Sequence, residues 1–276
     1  MRAQEEHGEG KVRRQQVRAK MCPEMRPQEL ISVAWLRQST SPASDAARVA
    51  GLRLLNVYAD LAQREEHLLG GLLRGQAPRQ WTHYPEEDAI DVKSGYQWFY
   101  HSHSPEDRPG TSEHGHIHLF ARPELWGRRF RSRREVVFSK HTGGAEHSVS
   151  TRHLLTIGFD AKGLPKSLFM VNSWVTGDLM LSTETTTELL DRMVLDTGNA
   201  DVDAVIESVT RLFRTEIRDL LVRRDEVLFG FKGDSVLSNE SLEVLSELAI
   251  DVDSKLSDWD GSLDSLVQSD HRSSWP

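Results

Sequence analysis

YQWFYHSH (96–103) and EHGHIHLFAR (113–122) decide the fold of this chain. In both segments the histidines alternate: His101 with His103, then His114 with His116 and His118. Alternation is the period of a β-strand, in which every second side chain points to the same face. The intervening SPEDRPGTS (104–112) is rich in turn residues, so the segments read as two adjacent antiparallel strands. One register would bring the histidines together. Pairing His103 with His114 also pairs His101 with His116 and sets His118 opposite Phe99, which puts the histidines on one face. A slip of one residue would send the two runs to opposite faces.

The pattern continues outward. RHLLTIGFD (152–160) and SLFMVNSWV (167–175) flank AKGLPK, two β-rich runs joined by a Gly- and Pro-containing loop. A sheet of at least four antiparallel strands across about 96–175 follows. GRRFRSRR (127–134) reads as a solvated polar loop ahead of a short apolar VVF. Helices flank the sheet segment. Residues 45–74 form an amphipathic helix, capped by Ser44 or Asp45, with Val49, Leu52, Leu55, Tyr58 and Leu61 or Ala62 at helical spacing. Gly70, Gly71, Gly75 and Pro78 end it. Another helix starts at Ser182 or Thr183 with Glu184 and runs through LLDRMVL. A third, 201–230, carries Val205, Val209, Leu212, Phe213, Ile217, Leu220 and Leu221 on one stripe. SLEVLSELAID (241–251) fits helix or strand. The expected class is α+β, with helices from both sides of the sheet segment covering one face and the histidines on the other. The expected domain is 45–255, with a disordered basic extension at 1–28 and a loose acidic, Ser-rich tail at 256–276.

Composition narrows the functional classes. At 276 residues and 38% hydrophobic, the chain can build a substantial core. No stretch approaches the roughly 18 apolar residues that cross a bilayer. The first twenty residues are charged and lack the apolar run of a secretory signal. Cys22 is the only cysteine, which excludes an intrachain disulfide and fits cytoplasmic residence. The net charge of −8 argues against nucleic acid as a general partner. A small-molecule substrate is the expected partner, with oligomeric state open.

Five of twelve histidines within eighteen positions are the main clue to chemistry. Imidazole is the commonest protein metal ligand and titrates nearest neutral pH. The candidate ligands are His101, His103, His114, His116 and His118, for Zn, Fe, Cu or Mn. Glu113 alternates away from His114 and would join only through a bend at the strand start. His153 opens the next strand, Asn172 shares a face with Trp174, and Glu86, Asp88 and Asp91 lie in the preceding loop. These residues are candidates to orient the ligands. A metal-dependent enzyme, hydrolytic or oxidative, is one reading. A non-enzymatic metal-binding or delivery protein is a second, and a wet sheet face lined by histidines is the plain structural one.

His114-Gly-His116-Ile-His118-Leu-Phe resembles the histidine-triad signature of nucleotide hydrolases and transferases over seven residues. That resemblance implies His116 as nucleophile, with Arg122 toward phosphate. Gly115 stands where that signature has a bulky apolar residue. Over a longer span the chain resembles the uncharacterised bacterial DUF6969 family, through HYPEEDAID (83–91), the two histidine segments, HLLTIGFDAKGLPKSLFMVNSWVTGD (153–178), LFR (212–214) and SLEVLSELAID. The resemblance implies one domain and carries no activity, cofactor or catalytic residue. Two further features have ordinary readings: NSWVTGD (172–178) as a helix cap and turn, and Trp98 and Trp174 as core or pocket wall.

Overall fold

The computed structural model describes residues 42–102, 113–142, 151–233 and 235–257. The expected basic extension, His103, and the tail beyond Ser257 lie outside them. The described residues form a seven-stranded sheet: β1 (Tyr84–Ile90), β2 (Tyr96–Ser102), β3 (Gly115–Ala121), β4 (Arg152–Phe159), β5 (Pro165–Val171), β6 (Leu179–Met180) and β7 (Val244–Ala249). The order β1-β2-β3-β4-β5-β7 is antiparallel throughout, and β6 pairs in parallel with the first residues of β4. The helices are α1 (Pro42–Gln63), α2 (Leu68–Leu73), α3 (Pro123–Trp126), α4 (Arg133–Thr142), α5 (Ser173–Thr176), α6 (Thr183–Arg192), α7 (Ala200–Leu212) and α8 (Arg214–Gly230). The fold is α+β. No helix among the described residues is long and apolar enough to cross a membrane.

One face of the sheet is the core. Trp98, Tyr100, Ile117, Leu119, Leu155 and Ile157 are fully buried on it. Two hydrogen bonds hook helices onto this face: Tyr96 Oη donates to the Leu189 carbonyl of α6 at 2.7 Å, and Trp98 Nε1 donates to Asp203 Oδ1 of α7 at 2.9 Å. α1 packs on α7, and α8 lies over β5 and β7. Odd-numbered residues of β2, Phe99 and His101 among them, therefore face away from these helices.

Several elements differ from the sequence expectation, each for a local reason. The expected loop at 83–91 is strand β1. It is a sheet edge that leaves Glu86 and Glu87 exposed, so its alternation is weak. SLEVLSELAID resolves to strand because it pairs with β5 from Ser167↔Ala249 to Val171↔Val244. The strand expected over 167–175 stops at Val171, where Asn172 caps α5 by accepting from Ser173 N at 2.8 Å. Trp174 is therefore not a strand residue. The expected Arg-rich loop is helical from Pro123, through a 3₁₀ turn at Arg129–Arg131, to α4. Its arginines are mostly exposed, as expected of a solvated segment, although Arg129 Nη1 donates to the Leu125 carbonyl at 2.7 Å and Arg134 lies 3.4 Å from Glu184. The 45–74 helix breaks after Gln63, where Glu65 takes φ 56, and His67 recaps the chain for α2. The 201–230 helix breaks at Phe213, whose φ of −102 and ψ of 26 leave the helical basin. α6 begins where expected, with Ser182 as its cap.

Asp91 belongs to the β1–β2 turn and not to the histidine face. Its carboxylate accepts from Lys93 N (2.9 Å), Ser94 N (3.1 Å), Ser94 Oγ (2.6 Å) and Asp196 N (3.0 Å). Burial pushes this carboxyl up, but the four donors together outweigh it and hold the group below the ordinary carboxylate range. A depressed folded pKa stabilises above the unfolded value, near 3.9, and that contribution is lost as pH falls through the folded one. Asp91→Ala is expected to cost about 2 kcal/mol at pH 7 and much less at pH 3. Urea titrations at the two pH values check this, and an equal cost at both would rule out the ionised carboxylate as the source.

Candidate metal centre

The register that sets His101 opposite His116 and Phe99 opposite His118 is the one observed. It extends across the sheet in rows. His101, His116, Gly158 and Ser167 form one row; Phe99, His118, Thr156 and Phe169 form the next. Cross-strand neighbours share a face, so three imidazoles crowd together where the rows meet β2 and β3. His101 Nε2 lies 2.7 Å from His116 Nε2 and 3.2 Å from His118 Nε2. The three side chains are buried and can offer one ligand atom each within 4.8 Å of one another.

That convergence fits a metal. Ligands about 2.0–2.1 Å from a tetrahedral ion stand roughly 3.3 Å apart, close to the observed spacings. Without an ion the same arrangement is awkward, since a nitrogen can serve a neighbouring imidazole only as donor or as acceptor. An ion here would be held through the three Nε2 atoms, which would leave each ring proton on Nδ1 and in need of an acceptor; for two of the rings a neighbour stands close. His118 Nδ1 is 3.1 Å from Thr156 Oγ1 and 3.2 Å from His153 Nε2. For His116, Glu113 Oε2 lies 3.9 Å from Nδ1.

Two departures from regular strand geometry produce these contacts. Leu119 pairs with Leu155 but Phe120 pairs with His153, so Leu154 is an extra residue in β4. Without that bulge His153 would face the helices; with it, His153 shares a face with His118 and Thr156. Burial, reinforced by the Arg224 charge, pushes His153 down to about 3, so it is a neutral imidazole across the ordinary pH range. The second departure is at the start of β3. His114 leaves the histidine face and turns its Nδ1 to Tyr100 Oη, 2.7 Å away on the core side. Glu113 takes the inward place, where its carboxylate accepts from Ser167 Oγ. Glycines make both moves feasible. A Cβ on Gly115 would lie 2.4 Å from Tyr100 Oη and from the His101 carbonyl oxygen, and one on Gly158 would lie 2.5 Å from the Glu113 carboxylate.

Of the expected site residues, the structure brings together His101, His116 and His118, with Glu113 and His153 in contact. It sets His114 apart, and His103 lies outside the described residues. Asp91 is a turn residue, and Asn172 caps α5 while its Nδ2 donates to the Val236 carbonyl at 2.9 Å. Asp88 is near the cluster. It is held by Gln97 Nε2 at 2.7 Å and His83 Nδ1 at 2.9 Å.

The histidines form part of the wall of a cavity of about 380 Å³. Phe99, Phe120 and Phe169 surround them, and Trp81 and Trp174 complete the aromatic lining. The His83 ring stacks on Phe99 with centroids 3.6 Å apart. The two tryptophans raised by the sequence thus divide: Trp98 is core and Trp174 is cavity wall. His83, Trp81, Thr156 and Phe169 were not singled out in the sequence. His83 sits in a segment that reads as loop, and Phe169 looks like any core aromatic. Trp81 and Asp88 carry positive φ, 62 and 53. Such angles in non-glycine residues are uncommon, and strained ones gather at functional sites.

Fold and site together define an α+β protein whose sheet carries a three-histidine cluster opening on an aromatic cavity. The chain belongs to the DUF6969 family, described as a domain of unknown function, whose model matches residues 48–250. Comparison with curated proteins and with solved structures gives no significant match.

Proposed function

We propose that His101, His116 and His118 bind one transition-metal ion through Nε2 and that this chain is a metal-dependent enzyme of hydrolytic or oxidative type. The convergence of three buried Nε2 atoms carries this reading. Three neutral imidazoles suit Zn, Cu or Fe better than Mn, which favours carboxylate and water. When bound, such an ion would supply Lewis-acid or redox chemistry at the cavity wall. Glu113, Thr156 and His153 would fix the ring orientations, and the aromatic walls would limit water. A metal-delivery protein is the alternative, but a ligand-sized cavity beside buried histidines favours turnover of a small molecule over surrender of the ion. Histidine-triad chemistry has less support. The described residues that line the cavity include no lysine or arginine to hold phosphate, and Arg122 lies 3.7 Å from Glu124. The domain 45–255 and cytoplasmic residence complete the reading; the first is supported by the extent of the family match and the second by the single cysteine.

Elemental analysis of the untagged protein beside the His101→Ala/His116→Ala variant tests the proposal. About one equivalent of a transition metal is expected in the parent and almost none in the variant. A parent that stays metal-free after reconstitution, or a folded variant that keeps its metal, would sink the proposal.

A further inference from the structure

The cavity beside the histidines has a one-sided charge. Asp88, Asp178 and Glu243 line it, and among the described residues no lysine or arginine does. An apolar, largely aromatic cavity that presents carboxylates repels anions and attracts cations, both through charge and through the negative faces of its rings. Two of the carboxylates are held in place. Asp88 is fixed by His83 and Gln97 on a left-handed backbone, and Asp178 accepts from Thr151 Oγ1. Burial raises the Asp178 carboxyl against the opposing pull of Thr151 and Arg152, and the Asp88 charge raises it further, so the two acids sense one another. Like charges in a partly dehydrated cavity are unfavourable, and a cation between them relieves the repulsion.

The apolar part of the cavity is equally definite. The Phe99 and Phe120 rings lie 5.4 Å apart at 25° to one another, His83 covers one face of Phe99, and Trp174 stands in the same lining. A volume of about 380 Å³ lies at the small end for organic-ligand sites, roughly 300–1,000 Å³.

We infer that the cavity binds a small organic amine, with its cationic nitrogen at Asp88 and Asp178 and its apolar body along Phe99, Phe120 and Trp174, and that it rejects anions. The inference deepens the proposed function, since it names the substrate class for the histidine site, and to that extent rests on it. An amine held this way presents the end of its body away from the carboxylates to His101, His116 and His118.

Isothermal titration of the full chain with benzylamine, benzyl alcohol and benzoate tests it, in metal-loaded and chelator-treated protein. In the chelator-treated form benzylamine is expected to bind at least about tenfold more tightly than benzyl alcohol, and benzoate not measurably; in the metal-loaded form the preference for amine over alcohol is expected to persist. Binding to the chelator-treated form shows that the nitrogen is held by protein and not by an ion. Asp88→Asn and Asp178→Asn are each expected to weaken benzylamine about tenfold and to leave benzyl alcohol unchanged. Asparagine tolerates the left-handed backbone at position 88, and the comparison of three probes on the parent stands even where a variant fails to fold. Equal binding of amine and alcohol, preference for benzoate in the chelator-treated form, or no binding of any probe would overturn the inference. Failure of the two readings is separable. One equivalent of metal without amine preference defeats only the inference; amine preference in a protein that takes up no metal defeats only the metal reading.

Discussion

His118→Ala is expected to lower metal affinity by on the order of 10²–10³. A four-ligand structural zinc site is worth about 10–16 kcal/mol, so one ligand carries roughly 2.5–4 kcal/mol. Both ring nitrogens of His118 have close polar neighbours. Nε2 faces His101 at 3.2 Å, and Nδ1 faces Thr156 at 3.1 Å and His153 at 3.2 Å. Removing the ring would delete one of the three proposed ligands, along with the group that Thr156 and His153 contact. His153→Ala acts one step further out, and its expected loss is smaller, about 10–100-fold. Competition against a chromophoric chelator measures both, and near-UV circular dichroism verifies that each variant is folded. The ordering is the decisive feature. A folded His118→Ala protein with parental affinity would remove His118 from the ligand set. A larger loss at His153 than at His118 would move the ion to the other side of the His118 ring.

Trp98→Ala is expected to give the largest loss of stability, about 3–5 kcal/mol, enough to unfold a marginal domain. Trp98 is wholly buried at the centre of β2 and ties the sheet to α7 through Asp203. Truncation opens a large void and removes a donor from a buried carboxylate. Trp98→Phe separates the two effects. It keeps most of the ring and removes only the N–H, and about 1.5–3 kcal/mol is expected at neutral pH, as for a hydrogen bond to a charged group. Burial raises the Asp203 carboxyl, while the donors on Thr197 and Trp98 lower it. Loss of the Trp98 donor raises it further. A raised acid stabilises below its unfolded pKa, and that contribution is lost as pH rises through the folded value. The cost of Trp98→Phe is therefore expected to be greater at pH 7 than at pH 4. Denaturant midpoints at the two pH values check this, and a pH-independent cost would mean that the indole N–H contributes little to holding Asp203 ionised.

The two strands that carry the candidate ligands, their mutual register, and the side of the sheet opposite the helices follow from local sequence alone. Alternation at His101 and at His116/His118 is a period-two signal, and a slip of one residue would have sent the two runs to opposite faces. The α+β class was legible for the same reason, because amphipathic helical stripes flank the strand-rich centre. Edge strands were not legible. β1 and β7 are strands because β2 and β5 offer them hydrogen-bonding partners, a tertiary circumstance that exposed glutamates and a helix-like leucine spacing conceal.

Composition of the site was decided further from the local pattern. Strict alternation places His114 with His116 and His118, but a bend at the strand start exchanges it for Glu113. That exchange depends on space left by Gly115 and Gly158, and Gly158 belongs to a different strand. Strict alternation places His153 with the core, but the extra residue Leu154 turns it to the histidines. Bulges and bends are set by how neighbouring strands close, so their effect appears only once the sheet is assembled. The sequence by itself determined which side chains could meet at the centre of this sheet. Tertiary structure decided which of them did, because a bend at the start of β3 turned His114 away and a bulge in β4 turned His153 inward.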